Sequence, residues 1–237
     1  MALPKGRPLP LSGSDLLLLL ILSLLTVRVL IPLLGLLFGA GANPLLVSML
    51  AIIVQSLVLS GFVLWFVVRR RGVSWAELGF VPLPSGWIPK AILLAILALP
   101  LVGLMNVAVQ FMVGEPLENP QLKALAPLGF SWFAMLSMLF LAAVVVPVVE
   151  EIVFRGVFYA WLRDRLAIAP ALAINAVVFA AVHGIPALIP ALAVVGVLLA
   201  WAYERSGSIW ASIVLHGAFN GIMTIGLYLA LAQGLEI

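Results

Sequence analysis

The sequence predicts an all-α fold, a polytopic transmembrane helical bundle of about seven spans, with six to eight as the range. Three observations predict it. The 237 residues are 65% apolar and only 9% charged, where soluble domains run near 25% charged. The mean hydropathy is +1.29. The apolar residues also fall in runs that approach or exceed the roughly 20 residues a helix needs to cross a hydrocarbon core. These runs cover 15–38, 44–68, 88–113, 130–161, 168–184, 187–203 and 208–233.

Each run has its own signals. Lys5 and Arg7 precede the first, as in a signal peptide. That run passes 20 residues and contains Arg28, against about 7–15 in a signal peptide's apolar region, so a retained helix is expected. Arg28 itself reads as a snorkelling or structural cation. The second run stops at Arg69, Arg70 and Arg71, a basic cluster that reads as a topology signal rather than a nucleic-acid patch. A short amphipathic piece around Trp75 to Leu78 and interfacial tryptophans follow. In the third run Asn106 and Gln110 share a helical face, where interhelical hydrogen bonding is favoured over a functional role. Pro116, Pro120 and Pro127 mark 114–129 as a loop. Gly184 to Pro190, GIPALIP, is either a tight connection or a re-entrant bend between the fifth and sixth runs. Asn175, in the fifth run, is open to either a structural or a functional reading.

Residues 1–129 are expected to supply N-terminal transmembrane helices and 130–233 the chemical core, all within one membrane domain. Lys5, Arg7, Arg69, Arg70, Arg71, Lys90, Arg163, Arg165 and Arg205 fall at alternate ends of the runs. The positive-inside rule then places the N-terminus in the cytoplasm and accounts for the net charge of +3 without a nucleic-acid partner. Cysteine is absent, which excludes disulfides, thiolate catalysis and Cys-ligated metal. No internal repeat is evident, so an inverted-repeat transporter has little support.

The functional argument rests on polar residues inside the spans, because a charge in hydrocarbon costs several kcal/mol and marks function by default. Three patterns occur in order: Glu150-Glu151-x-x-x-Arg155, Phe179-x-x-x-His183 and His216-x-x-x-Asn220. A spacing of four places Glu151 with Arg155, Phe179 with His183, and His216 with Asn220 on shared faces. Glu151 therefore has a local ion partner, while Glu150, rotated by about 100°, faces another helix. Pro147 precedes the acids by about a turn and frees a backbone carbonyl, bending the helix or helping to admit water. Counted from the basic ends at 1.5 Å per residue, Glu150 and His183 lie about 20 Å deep, and His216 and Asn220 roughly 12 and 18 Å. Singly, each residue is as readily explained by helix packing. Both histidines, an acid pair and an amide in one layer favour a site.

A Glu in low dielectric suits a general base acting on water, a histidine can hold that water, and a second histidine with an Asn can donate to an oxyanion. Glu150, His183 and His216 also make a His₂Glu donor set, so Zn²⁺ is an alternative. The residues alone leave both open.

The ordered set EExxxR, FxxxH and HxxxN, the Phe154-Arg155-Gly156 continuation and Ser208 to Asn220 (SIWASIVLHGAFN) resemble the CPBP family. That family comprises the type II CAAX prenyl proteases and bacteriocin-processing (Abi) enzymes. The resemblance covers roughly Phe130 to Leu229; earlier residues match only as apolar helices. It implies an intramembrane endopeptidase in which Glu150 activates water assisted by His183, and His216 and Asn220 form the oxyanion site. Glu151 and Arg155 would supply orientation and charge balance. It implies a glutamate protease with no obligatory metal, acting on a membrane-embedded or lipidated peptide, with the site opening toward the cytoplasmic half of the bilayer. HExxH and GxSG are absent, and Asp15 and Asp164 both lie outside mid-span positions. Zinc, serine and aspartyl intramembrane proteases therefore fit less well. The competing readings are a non-catalytic membrane protein, such as an immunity factor, and a proton-coupled transporter.

Overall fold

Helices dominate because the apolar runs carry few breakers and have polar residues where helices start. The computed structural model describes residues 8–26, 29, 31–39, 41–114 and 119–235. Its helices are α1 (Gly13–Leu25), α2 (Ile31–Phe38), α3 (Pro44–Arg70), α4 (Trp87–Val113), α5 (Pro120–Leu125), α6 (Trp132–Arg163), α7 (Ile168–Val182), α8 (Pro186–Ser206) and α9 (Ile209–Ala232). Among the described residues there is no strand. Asn43 caps α3, its side chain accepting from the Leu45 and Leu46 amides ahead of Pro44. Ser131 starts α6 by accepting from the Ala134 amide, the standard use of these residue types at a helix N-terminus.

Among the described residues five helices, α3, α4, α6, α8 and α9, are long and apolar enough to cross a membrane. The protein is an integral membrane protein. The expected count of seven is not confirmed by length among the described residues. Residues 27, 28 and 30 of the first run lie outside the described residues, and α7 has 15 residues, about 22 Å of helix against a hydrocarbon core near 30 Å. GIPALIP turns the chain back directly into α8, with Gly184 at φ 73°. The segment expected to be a loop contains α5, because Pro120 pre-sets the backbone at a helix start. Lys5, Arg7, Arg28 and Pro116 lie outside the described residues.

Two pairs of contacts fix how the central helices run. Arg155 reaches the Gly196 carbonyl, and Arg163 pairs with Glu204. The same offset separates the residues on each helix, so α6 and α8 are parallel and in register. α9 runs antiparallel to α6: His216 meets Glu151, and Asn220 meets Ala142. At one end of the bundle the ends of several elements are strapped together. The Leu9 amide donates to Asp164 at 2.8 Å, the Trp161 indole donates to the Leu11 carbonyl at 2.9 Å, and Arg71 pairs with Asp15. The connection after α3 packs against the same end. The Ile209 amide donates to the Gly79 carbonyl at 2.9 Å. The buried Leu78 sends its carbonyl against Gly156, where a Cβ would approach within 2.9 Å.

The helix carrying the acids is not uniform. Over Leu141–Val145 and Ile152–Tyr159 its hydrogen bonds widen to i→i−5: the Val146 amide donates to Leu141, and the Ala160 amide reaches Arg155. Such π turns are rare overall and cluster at functional sites.

Candidate active site

Glu151 and Arg155 are both fully buried and pair at 2.9 Å through Glu151 Oε1 and Arg155 Nη1. The same Oε1 accepts from His216 Nδ1 at 2.8 Å. An oxygen already accepting from a guanidinium is a carboxylate oxygen, so Nδ1 carries the proton and donates. His216 Nε2 then faces Glu150 Oε2 at 3.9 Å. His216 thus sits between the two glutamates and treats them differently.

Arg155 is held in two further ways. Its Nη2 donates to the Gly196 carbonyl at 3.2 Å, and its guanidinium lies 4.5 Å over the Phe179 ring. Gly196 itself presses on α7, where a Cβ would meet the Ala176 Cα at 2.9 Å. Glu151 Oε2 and Arg155 Nε are buried without a partner, a cost borne by an otherwise well-bonded pair.

Phe179 ties the second pattern to the first. Its ring is edge-on to His183 at 4.8 Å and to His216 at 6.0 Å. His183 ends α7, and its Nδ1 donates to the Phe179 carbonyl at 2.7 Å. A carbonyl only accepts, so Nδ1 holds the proton and Nε2 is left as an acceptor. Among the described residues no hydrogen bond or ion pair joins His183 to Glu150; they are linked through the Phe179–His216 layer.

Glu150 has the access that Glu151 lacks. Its side chain keeps 16% exposure, against 0% for Glu151. It borders a small cleft between α3 and α6 with Gln55, Ser56, Leu59, Val146 and Val149. A second, apolar cleft adjoins it through Leu59 and Val149 and extends to Trp75.

Asn220 is engaged as well. Its Nδ2 donates to the Ala142 carbonyl at 3.0 Å, leaving its second amide proton for another acceptor.

Residues 131–222 match the family model described as type II CAAX prenyl endopeptidase, Rce1-like. Over that stretch the chain is similar to this family. The matched stretch runs from the start of α6 into α9 and contains all seven motif residues. No curated protein and no solved structure matches the chain.

The sequence did not assign several residues that shape the core around the motifs. Asn175, fully buried, donates to the Phe154 carbonyl at 2.9 Å and locks α7 to α6. Tyr159 and Arg163 converge on buried Glu204, each at 2.9 Å. An acid, a base and a hydroxyl near helix ends carried only a faint signal, since each alone suits the interface. Asn106 departs from its expected interhelical bond: its Oδ1 is buried without a partner. Among the described residues no three His, Asp or Glu side chains gather closely enough to hold a metal ion.

Proposed function

We propose that this protein is an intramembrane endopeptidase that hydrolyses a peptide bond of a membrane-associated, CAAX-type prenylated substrate. The Rce1-like match supports the activity and substrate class. The observation that carries the assignment of roles is the unequal environment of the two glutamates around His216.

Glu150 is the general base. It borders the cleft, and its Oε2 faces the His216 ring only at 3.9 Å. It takes a proton from water as the hydroxyl oxygen bonds to the scissile carbonyl carbon. The C–N bond then breaks, and the proton held by Glu150 passes to the leaving amine. His183, with its tautomer set by the Phe179 carbonyl, offers Nε2 as an acceptor to orient that water.

His216 and Asn220 stabilise the oxyanion. With Nδ1 committed to Glu151, Nε2 donates only when the ring bears its second proton. Two carboxylates flank that ring. Donors aimed at the developing charge in a dry site are commonly the largest contribution to catalysis. Glu151 and Arg155 act through His216 and are positioning residues. No step is routed through a metal ion.

The test is cleavage of a farnesylated peptide ending in a Cys-aliphatic-aliphatic-Met sequence by purified protein in proteoliposomes. Wild type should cleave it, and Glu150→Gln and His183→Ala should each abolish cleavage. Retained proteolysis in both variants overturns the reading. Elemental analysis beside an activity assay with chelator checks the metal-free assignment; a stoichiometric metal lost together with activity would sink it.

A further inference from the structure

Asn220 donates to a main-chain carbonyl that a regular helix would have used itself. In an α-helix the Ala142 carbonyl accepts from the amide of residue 146, and in a π turn from residue 147. Here the Val146 amide donates to Leu141, one residue further back. Residue 147 is proline and has no amide proton. Both intrahelical donors are therefore removed at the same place, and the carbonyl would be left bare in an apolar layer. Asn220 Nδ2 fills that role from α9 at 3.0 Å.

The neighbouring helix is shaped to make that reach. At Gly217 a Cβ would lie 2.4 Å from the Ala143 carbonyl oxygen, and at Gly221 it would touch the Ala143 Cβ at 3.4 Å. Two glycines on either side of Asn220 thus bring α9 almost backbone to backbone with the π turn. One turn away on α9, the Glu151 carboxylate holds His216 by its Nδ1. α6 fixes both proposed oxyanion donors, one with a carboxylate and one with a freed carbonyl.

We propose that Pro147 is a positioning residue: by releasing the Ala142 carbonyl it clamps the Asn220 amide and aims the remaining N–H at the substrate oxyanion. This rests on the proposed function above. Restoring an amide at position 147 gives the helix back a donor within reach of the Ala142 and Ala143 carbonyls. Asn220 then loses its fixed partner, while the apolar core is left nearly intact.

The experiment compares Pro147→Ala, Asn220→Ala and the double variant, using the farnesylated peptide above. Selectively labelled protein adds the Asn220 side-chain ¹⁵N and Ala142 ¹³C carbonyl resonances in bilayers. Pro147→Ala should shift both resonances and lower kcat about tenfold or more, with KM unchanged and the thermal midpoint held or raised. Asn220→Ala should cost about a hundredfold, and the double variant no more than Asn220→Ala alone, since both act through one donor. Unchanged resonances overturn the clamp whether or not the peptide is a substrate. Shifted resonances with wild-type kcat, or losses that multiply in the double variant, overturn the positioning role. If Glu150→Gln also leaves cleavage untouched, the failure lies instead in the proposed function.

Discussion

His216 Nδ1 and Glu151 Oε1 lie 2.8 Å apart, and that oxygen is also the one Arg155 reaches. One atom thus joins the imidazole on α9 to the ion pair on α6 and, through Arg155, to the Gly196 carbonyl on α8. Glu150, the adjacent residue, takes part in none of these bonds. Two adjacent residues of the same type therefore sit in different environments.

The two glutamates should separate on substitution. Glu151→Ala strands a buried guanidinium and a buried imidazole, and removing one partner of a buried pair costs about 3–5 kcal/mol. Glu150→Ala removes a partly exposed group whose ion-pair contact with His216 is long, at 3.9 Å, and should change stability by less than about 1 kcal/mol. Cleavage is expected to vanish in both. Thermal unfolding in detergent beside the peptide assay checks this; equal destabilisation by the two changes would refute the division of labour.

Arg155→Lys should not behave as a conservative change. A lysine can keep the charge near Glu151, but it cannot also bond the Gly196 carbonyl and lie flat over Phe179. Losing a hydrogen bond to a charged group costs about 1.5–3 kcal/mol. The ring that spaces His183 from His216 also loses its cover. The expected result is a lower midpoint together with a fall in kcat of about tenfold or more. A variant with wild-type stability and rate would show that the guanidinium geometry is idle.

Much of the bundle could be read from the chain because its signals are local. Apolar run length located α3, α4, α6, α8 and α9, and a spacing of four placed Glu151 with Arg155 and Phe179 with His183. The departures arise where a tertiary partner decides the outcome. The π turns of α6 leave no periodic mark, so Asn220 read as a free donor although its partner is the Ala142 carbonyl. The length of α7 is set by the turn at Gly184, where the sequence left a tight connection and a re-entrant bend both open. Asn175 looked ambiguous because its acceptor, the Phe154 carbonyl, belongs to another helix.

Helix approach at Gly196 gives a steric prediction. A Cβ there would meet the Ala176 backbone at 2.9 Å, and backbone cannot rotate away. Gly196→Ala should therefore push α7 from α8 at a cost of about 1–3 kcal/mol, and displace the carbonyl that holds Arg155. Gly103, within α4, has open space around it, with nothing within 4 Å of where a methyl would sit. Gly103→Ala should be neutral or stabilise by up to about 1 kcal/mol, since glycine costs conformational entropy in a helix. Parallel unfolding curves of the two variants test the contrast, and a tolerant Gly196 would disprove the close approach.

Tyr159, Arg163 and Glu204 supply a final contrast between structure and chemistry. Glu204 is 1% exposed and accepts from the Tyr159 hydroxyl and the Arg163 Nε, each at 2.9 Å. The cluster clamps α6 to α8 one register step from the Arg155–Gly196 bond, yet it includes neither histidine nor a residue lining the cleft beside Glu150. Tyr159→Phe should cost about 1.5–3 kcal/mol, the range for a hydrogen bond to a charged group. Glu204→Gln should cost at least as much, because it leaves Arg163 without a counter-ion. Both variants should retain kcat within about twofold at temperatures well below their midpoints, where nearly all molecules remain folded. A large loss of kcat with an unchanged midpoint would instead bring this cluster into the reaction.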